Sequence, residues 1–302
     1  MVRAAQPRRV RVGDVLVLAL DTATPASTAA LVEVTADRLT GVAERRTVDP
    51  RAHGEKLAPE IAATLAEAGA RTGDLGAIVA GLGPGPFTGL RVGLATAASM
   101  GQALGIPTYG VCSLDGIGRA AGPGRVLVAT DARRREVYFA TYVDGVRVFG
   151  PEVAKPADVA DVLGQAYRKR TSEAAESAAL SESEIIESAT AMAGADAARL
   201  AAVLARAEME AVIAEPDEGK DDWAKTSRTA TVFDRAAGEG ALKYGDLFGV
   251  PVEEHLLYPP GAALVALAAG RIRSGAPGEQ LTPLYLRRPD AVEPGGRKPV
   301  LT

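Results

Sequence analysis

Two aspartates and one glycine-rich loop are the residues whose types and spacing could do chemistry. Asp21 closes the apolar run VLVLALD (15–21), and Asp131 closes a second, RVLVATD (125–131). A carboxylate at the tip of a buried strand can hold a metal–phosphate complex, or it can simply end the strand through an Asx-turn. The loop lies between them, in GAIVAGLGPGPFTGLRVGLATAASMGQAL (76–104). An apolar strand enters, a Gly/Pro turn follows, and a helix leaves. The first helical turn of such a unit points free N–H groups at the loop, which suits an anion. Gly83 and Gly85 have no Cβ to block a ligand, Pro84 and Pro86 stiffen the loop, and Thr88 can cap the helix. With Thr22 beside Asp21, and Gly89, these form a candidate phosphate site: Asp21, Thr22, Gly83, Pro84, Gly85, Thr88, Gly89 and Asp131. No Lys-Ser/Thr pair follows the loop, and the glycine spacing is not that of a dinucleotide fingerprint. A purely structural tight turn fits the same residues.

Other chemistry finds little support. His53 and His255 are the only histidines, and neither sits in a ligand spacing. His53 at a helix start reads as a surface or interface residue. Cys112 follows a strand with no histidine nearby, so a buried, inert thiol is expected.

The elements that must position these residues read as a repeat. The runs 15–21, 27–34 and 39–48 form an antiparallel meander, followed by a helix over 53–69 with Leu57, Ile61 and Leu65 at i+4 spacing. Pro59 is tolerated there if the helix starts near Lys56. The strand–loop–helix unit 76–104, a strand at 106–111 and a short helix at 114–121 complete the half. After GPGR (122–125) the pattern starts again: an apolar strand ending in Asp131, a return strand within 133–145, and a third at 146–150. A duplicated α/β fold follows. The expected division is a leader at 1–14, a first half at 15–121, a second half at 122–290 and a tail at 291–302. The second half contains an Ala/Glu-rich helical insertion at about 166–235. A further amphipathic helix is expected at 259–275.

The helix after the loop carries Gly89, Gly93, Ala97 and Gly101 at i+4 spacing. A stripe without side chains allows close approach of another helix, within or between subunits, or close seating on the chain's own sheet.

Composition bounds the partners. The chain has 302 residues, 47% hydrophobic and 24% charged, with a net charge of −4. Bulk attraction to nucleic acid or an anionic membrane is therefore excluded, and RNA contact must be local or come through a partner. A single cysteine permits no intrachain disulfide and fits a reducing cytoplasm.

In order along the chain, LALDTAT, HGEKLAP, GLGPGPFTGLRVGLATA, ATDARRREVYFATYVDG and PLYLRRPDA resemble the TsaB (YeaZ) family of tRNA threonylcarbamoyladenosine biosynthesis. The resemblance covers about 15–165 and 237–290. It implies an α/β actin-like ATPase (ASKHA) fold of two ribonuclease-H-like halves. It also implies a cytoplasmic, non-catalytic scaffold that binds and activates the transferase TsaD, with the ATPase TsaE joining and tRNA met only through the complex. TsaD relatives hold a metal through a His-x-x-x-His motif; here that place reads YGVCSLDGIG (109–118), without histidine. The resemblance therefore implies no bound metal and no cofactor required by this chain, with room for ATP or ADP at a subunit interface. It places docking, or self-association of the chain alone, on the helices near 53–69 and 88–104. The expected interface residues are His53, Leu57, Ile61, Leu65, Phe87, Leu90, Arg91, Gly93, Ala97 and Gly101. Two alternatives stand: an ATP-binding enzyme of the actin-like fold with its own hydrolysis or phosphotransfer, and a glycoprotease-type metallopeptidase.

Overall fold

A computed structural model describes residues 14–166 and 233–287. The expected leader (but for residue 14), the tail and the insertion from 167 to 232 lie outside the described residues.

The first half is a five-stranded sheet in the order β3-β2-β1-β4-β5. Its strands are β1 (Val15–Asp21), β2 (Ala26–Val34), β3 (Leu39–Val48), β4 (Ala77–Gly81) and β5 (Thr108–Val111). The first three form the antiparallel meander, with Asp21 opposite Thr28 in register. β4 and β5 join parallel to β1, and the crossover between them needs a helix.

That helix is α2 (Phe87–Leu104), which lies with α1 (His53–Glu67) on one face of the sheet. Leu57, Ile61 and Leu65 of α1 and Leu90, Leu94 and Ala97 of α2 are buried there against Leu16, Leu18, Leu20 and Ile78. α1 starts at His53 rather than near Lys56, so Pro59 lies inside it. Pro59 is exposed, and the helix is held by its buried side, so the lost hydrogen bond falls on the solvent face. α2 starts at Phe87 with Pro86 as its N-cap residue, and Thr88 makes no capping bond. Its C-terminus is closed by Gly105 in the left-handed conformation.

The second half repeats the plan in the order β8-β7-β6-β9. Its strands are β6 (Arg125–Asp131), β7 (Val137–Val143), β8 (Val146–Ala154) and β9 (Arg235–Ala237). β6 pairs antiparallel with β7 and parallel with β9, as β1 does with β2 and β4. An isolated parallel bridge, Ala236 to Val252, stands where the fifth strand of the first half would be. The stretch after β9 holds two short helices, α4 (Glu239–Lys243) and α5 (Gly245–Phe248).

Two elements tie the halves together. α3 (Ser113–Ala121) buries Leu114 and Ile117 against Val126, Val128 and Tyr142 of the second sheet. Chain order puts α6 (Gly261–Arg273) in the second half. Instead, its Leu264, Val265, Ala268 and Ile272 cover the free face of the first sheet. A helix settles where its apolar stripe is buried, and β1, β2, β4 and β5 offered an uncovered apolar face.

Candidate functional site

Asp21 and the glycine-rich loop do meet, but on the inside of the protein. Asp21 is 1% exposed. Its Oδ1 accepts from Ala23 N–H at 3.0 Å, an Asx-turn, and its Oδ2 accepts from Ser113 Oγ–H at 2.5 Å. Burial raises its pKa from 3.8 to about 6, against the lowering effect of those two hydrogen bonds and of Arg46. The side chain lies over Gly81, where a Cβ would come within 2.6 Å of Ser113 Oγ and closer still to Asp21 Oδ2. Ser113, which sequence reasoning missed, also accepts from Gly83 N–H at 3.1 Å, and its own N–H donates to Gly83 O at 2.8 Å. It thereby joins carboxylate and loop.

The loop is seated on the turn after β1. A Cβ on Gly85 would stand 2.7 Å and 2.8 Å from Ala23 Cα and carbonyl carbon. Thr22 fixes α2 from the same turn: its Oγ1 donates to Gly89 O at 2.8 Å and accepts from Gly93 N–H at 3.1 Å. Gly83 has φ +92, followed by a cis bond to Pro84.

Asp131 mirrors Asp21 in the second half. Its Oδ1 accepts from Arg133 N–H at 3.2 Å, again an i to i+2 turn, and its Oδ2 pairs with Lys243 Nζ at 3.1 Å. Its backbone N–H donates to Glu239 at 3.0 Å. Burial lifts the pKa of Glu239 to about 7. Gly238 and Gly240 flank Glu239 and press on Ala129 and Thr130, as Gly81 and Gly85 press on the end of β1. Among the described residues, no three of His, Cys, Asp and Glu converge in a way that could hold a metal ion.

The interface expected from the resemblance divides differently. Leu57, Ile61, Leu65, Leu90 and Ala97 are core residues. Gly89, Gly93 and Gly101 are buried too: a Cβ would meet His53 and Thr22 O, Thr22 Oγ1, and Thr108 respectively. The small-residue stripe thus seats α2 on its own half, because only glycine lets the helix approach Thr22 and β5 this closely. His53 is not a surface residue either. It is 6% exposed, with Nδ1 bonded to Ser27 Oγ at 2.8 Å, and burial lowers its pKa. Only Phe87 and Arg91 of the ten face outward.

Among the residues the two helices show to solvent, beside Glu55, Lys56, Glu67, Arg91 and Gln102, are small ones the sequence reading passed over: Ala58, Ala62 and Ala66 on α1, and Ala95, Ala98 and Ser99 on α2. Alanine spacing carried the signal, but core and surface alanines look alike in a sequence this rich in them.

A cleft of about 630 Å³ separates the halves. The first half lines it with the N-termini of α1 and α2. The second half lines it with the β6–β7 turn, and Tyr285, Leu286 and Arg287 line it as well.

Cys112 is buried, and burial pushes its thiol up to about 12, in keeping with an inert residue. His255 lies beside Glu253 on the surface, its Nε2 3.8 Å from the carboxylate.

Comparison with known proteins places these features. Residues 47–234 match the profile of tRNA N6-adenosine threonylcarbamoyltransferase, TsaD. An uncharacterized protein of Mycobacterium tuberculosis is 59% identical over 143 residues, 47% of this chain and 66% of the relative. The tRNA threonylcarbamoyladenosine biosynthesis protein TsaB of Escherichia coli is 36% identical over 130 residues, 42% of this chain and 54% of that protein. The chain thus spans just under two thirds, and about half, of these curated relatives' lengths. The solved structure of YeaZ from Pseudomonas aeruginosa superposes with a TM-score of 0.54 at 24% identity, covering 90% of this chain and all of that one, a likeness of fold.

Proposed function

We propose a docking role in tRNA threonylcarbamoyladenosine formation for this chain, which belongs to the TsaB (YeaZ) family. In this reading it binds and activates a TsaD-type subunit and has no catalytic activity of its own. TsaE joins the assembly, and the place of action is the cytoplasm. No described helix is long and apolar enough to cross a membrane.

The observation that carries the docking role is the exposed alanine row. Ala58, Ala62 and Ala66 recur at i+4 on α1, and Ala95, Ala98 and Ser99 face outward on α2. Side chains this short let a partner helix come to an axial distance of roughly 8–10 Å without a large side chain having to move. The same face serves a second copy of the chain when the partner is absent.

The engagement of Asp21 and Asp131 by protein groups supports a non-catalytic role. A phosphotransferase of this fold would need carboxylates turned toward its ligand. Asp21 is turned to Ser113, and Asp131 is neutralised by Lys243. The reading requires no metal or cofactor from this chain, and any ATP or ADP sits against the partner.

Co-expression with the cognate TsaD-type subunit tests it. Ala62→Glu and Ala98→Glu should each lower capture at least tenfold while leaving the melting temperature within 2–3 °C, since exposed sites tolerate substitution. Capture by both variants at the wild-type level refutes the surface.

A further inference from the structure

The cleft between the halves is basic in a chain whose net charge is −4. Arg51 lines it from the first half, Arg133 and Arg134 from the second, and Arg287 lies against the same turn as these two. Among the described residues, Asp131 is the only carboxylate on its wall, and Lys243 and Arg133 N–H already engage it. Arg287 is held in place by Glu136 and by Ala132 O at 3.2 Å. α1 and α2, of 15 and 18 residues, both end here at their N-termini without a side-chain cap, adding the positive ends of two helix dipoles.

Arg133, Arg134 and Arg135 have φ of +61, +52 and +61, a left-handed run that glycine or asparagine adopts at less cost. All three side chains are exposed.

Aromatic surface lies beside this charge. Phe87 and Tyr285 stack with centroids 5.1 Å apart at the cleft edge, yet remain 38% and 40% exposed. Arg91 lies 3.9 Å over the Phe87 ring and bonds Tyr285 OH at 3.3 Å. Exposed stacked rings beside a row of guanidinium groups are what single-stranded nucleic acid uses: phosphates along the charge, bases on the rings.

We propose that this cleft binds a single-stranded RNA segment directly, its phosphates along Arg51, Arg133 and Arg134 and a base against the Phe87–Tyr285 pair. The ligand chemistry comes from the cleft; only the choice of tRNA as the natural RNA rests on the proposed function.

The test is fluorescence anisotropy of the purified full chain with a labelled, unstructured 12-nucleotide RNA in 50–300 mM salt. The wild type should bind in the micromolar range at low salt. Arg133→Ala/Arg134→Ala should weaken binding at least tenfold and flatten the slope of log K against log salt by about 1.4, two phosphate contacts at roughly 0.7 each. Tyr285→Ala should weaken it roughly tenfold with the salt slope unchanged. Unlabelled tRNA should compete.

Absence of saturable binding up to 100 µM overturns the proposal, as does wild-type affinity in the arginine variant. Displacement of the RNA by micromolar ATP would assign the cleft to a mononucleotide and overturn it as well. Capture of the TsaD-type subunit, measured on the same proteins, separates the two readings. RNA binding lost with capture retained removes only this inference; failure of the wild type to capture the partner removes the docking role.

Discussion

Gly85→Ala separates a loop kept for a ligand from a loop kept for the fold. In a waiting phosphate cradle, a methyl at Gly85 would face empty space. It would abolish anion binding and leave stability alone. Here it would meet the backbone of Ala23, with Cα at 2.7 Å and the carbonyl carbon at 2.8 Å. Neither atom can swing aside as a side-chain end can. Ala23 follows Asp21, whose Oδ1 accepts from its N–H, so relief means lifting the loop or pulling the turn off the buried carboxylate. Overpacking of this kind costs about 1–3 kcal/mol, and a backbone obstacle belongs at the upper end. At roughly 2–4 °C per kcal/mol for a chain of this size class, a loss of about 2–3 kcal/mol should lower the melting temperature by about 4–12 °C. Gly270→Ala is the internal control. Gly270 lies inside α6 with nothing within 4 Å of its would-be Cβ, so alanine there should stabilise by about 0.5–1 kcal/mol. Differential scanning fluorimetry with and without ATP and Mg²⁺ reads both. A Gly85→Ala protein that melts with the wild type, while the wild type alone is stabilised by ATP, refutes the seated-loop account.

Gly93→Leu and Ala97→Leu should fail as interface probes because they fail to fold well: each drives a large side chain into Thr22 or the core, and both should lose several kcal/mol in urea melts. Thr22→Ala removes both bonds that its hydroxyl makes to α2, the one to Gly89 O and the one from Gly93 N–H, for a loss of about 1–3 kcal/mol by the same measurement. The folded protein holds the Asp21 proton up to about pH 6, while the unfolded chain releases it near 3.8. Stability should therefore fall as pH rises between those values and stay lower above them, by on the order of 3 kcal/mol for this group. Asp21→Asn keeps an oxygen for Ala23 N–H and should flatten that dependence, being more stable than the wild type at pH 8; equal destabilisation at pH 5 and pH 8 contradicts this.

The two meanders were legible because buried strands announce themselves. VLVLALD and RVLVATD are continuous apolar runs, and their terminal aspartates marked the duplication before any pairing was seen. The location of α6 was not legible, since its stripe of Leu264, Val265, Ala268 and Ile272 specifies burial but not which sheet provides it. The glycine stripe was read correctly as a close-approach surface, while the object approached was ambiguous: a partner helix and Thr22 impose the same demand for a missing Cβ. His53 misled for a related reason. A helix-start histidine has no sequence mark of burial, and its partner Ser27 lies on β2, 26 residues earlier. The basic cleft was invisible because Arg51, Arg133 and Arg287 come from three distant segments, joined only when the halves close on each other.

The duplication explains why Asp21 and Asp131 are both engaged by groups of the protein itself. Each aspartate ends the central strand of its sheet, and each bends the chain through the N–H two residues on, at Ala23 and Arg133. In each half a glycine element from the next parallel strand closes over that bend, Gly81 and Gly85 in the first, Gly238 and Gly240 in the second. The remaining carboxylate oxygen then needs a partner, and the halves answer differently. The first gives Asp21 the hydroxyl of Ser113, on the helix that joins the two sheets, so the carboxylate is sealed where the halves meet. The second gives Asp131 the ammonium of Lys243, leaving that side chain partly open beside the cleft. A fully buried carboxylate near its own pKa at neutral pH is a costly thing to keep, and Ser113 returns only part of that cost. What it does achieve is to lock the loop, the turn and α3 to one another. α2 therefore leaves the loop in a fixed direction, packed with α1 on the same face of the first sheet. In the proposed docking role, that fixed direction is what the aspartate and glycines provide.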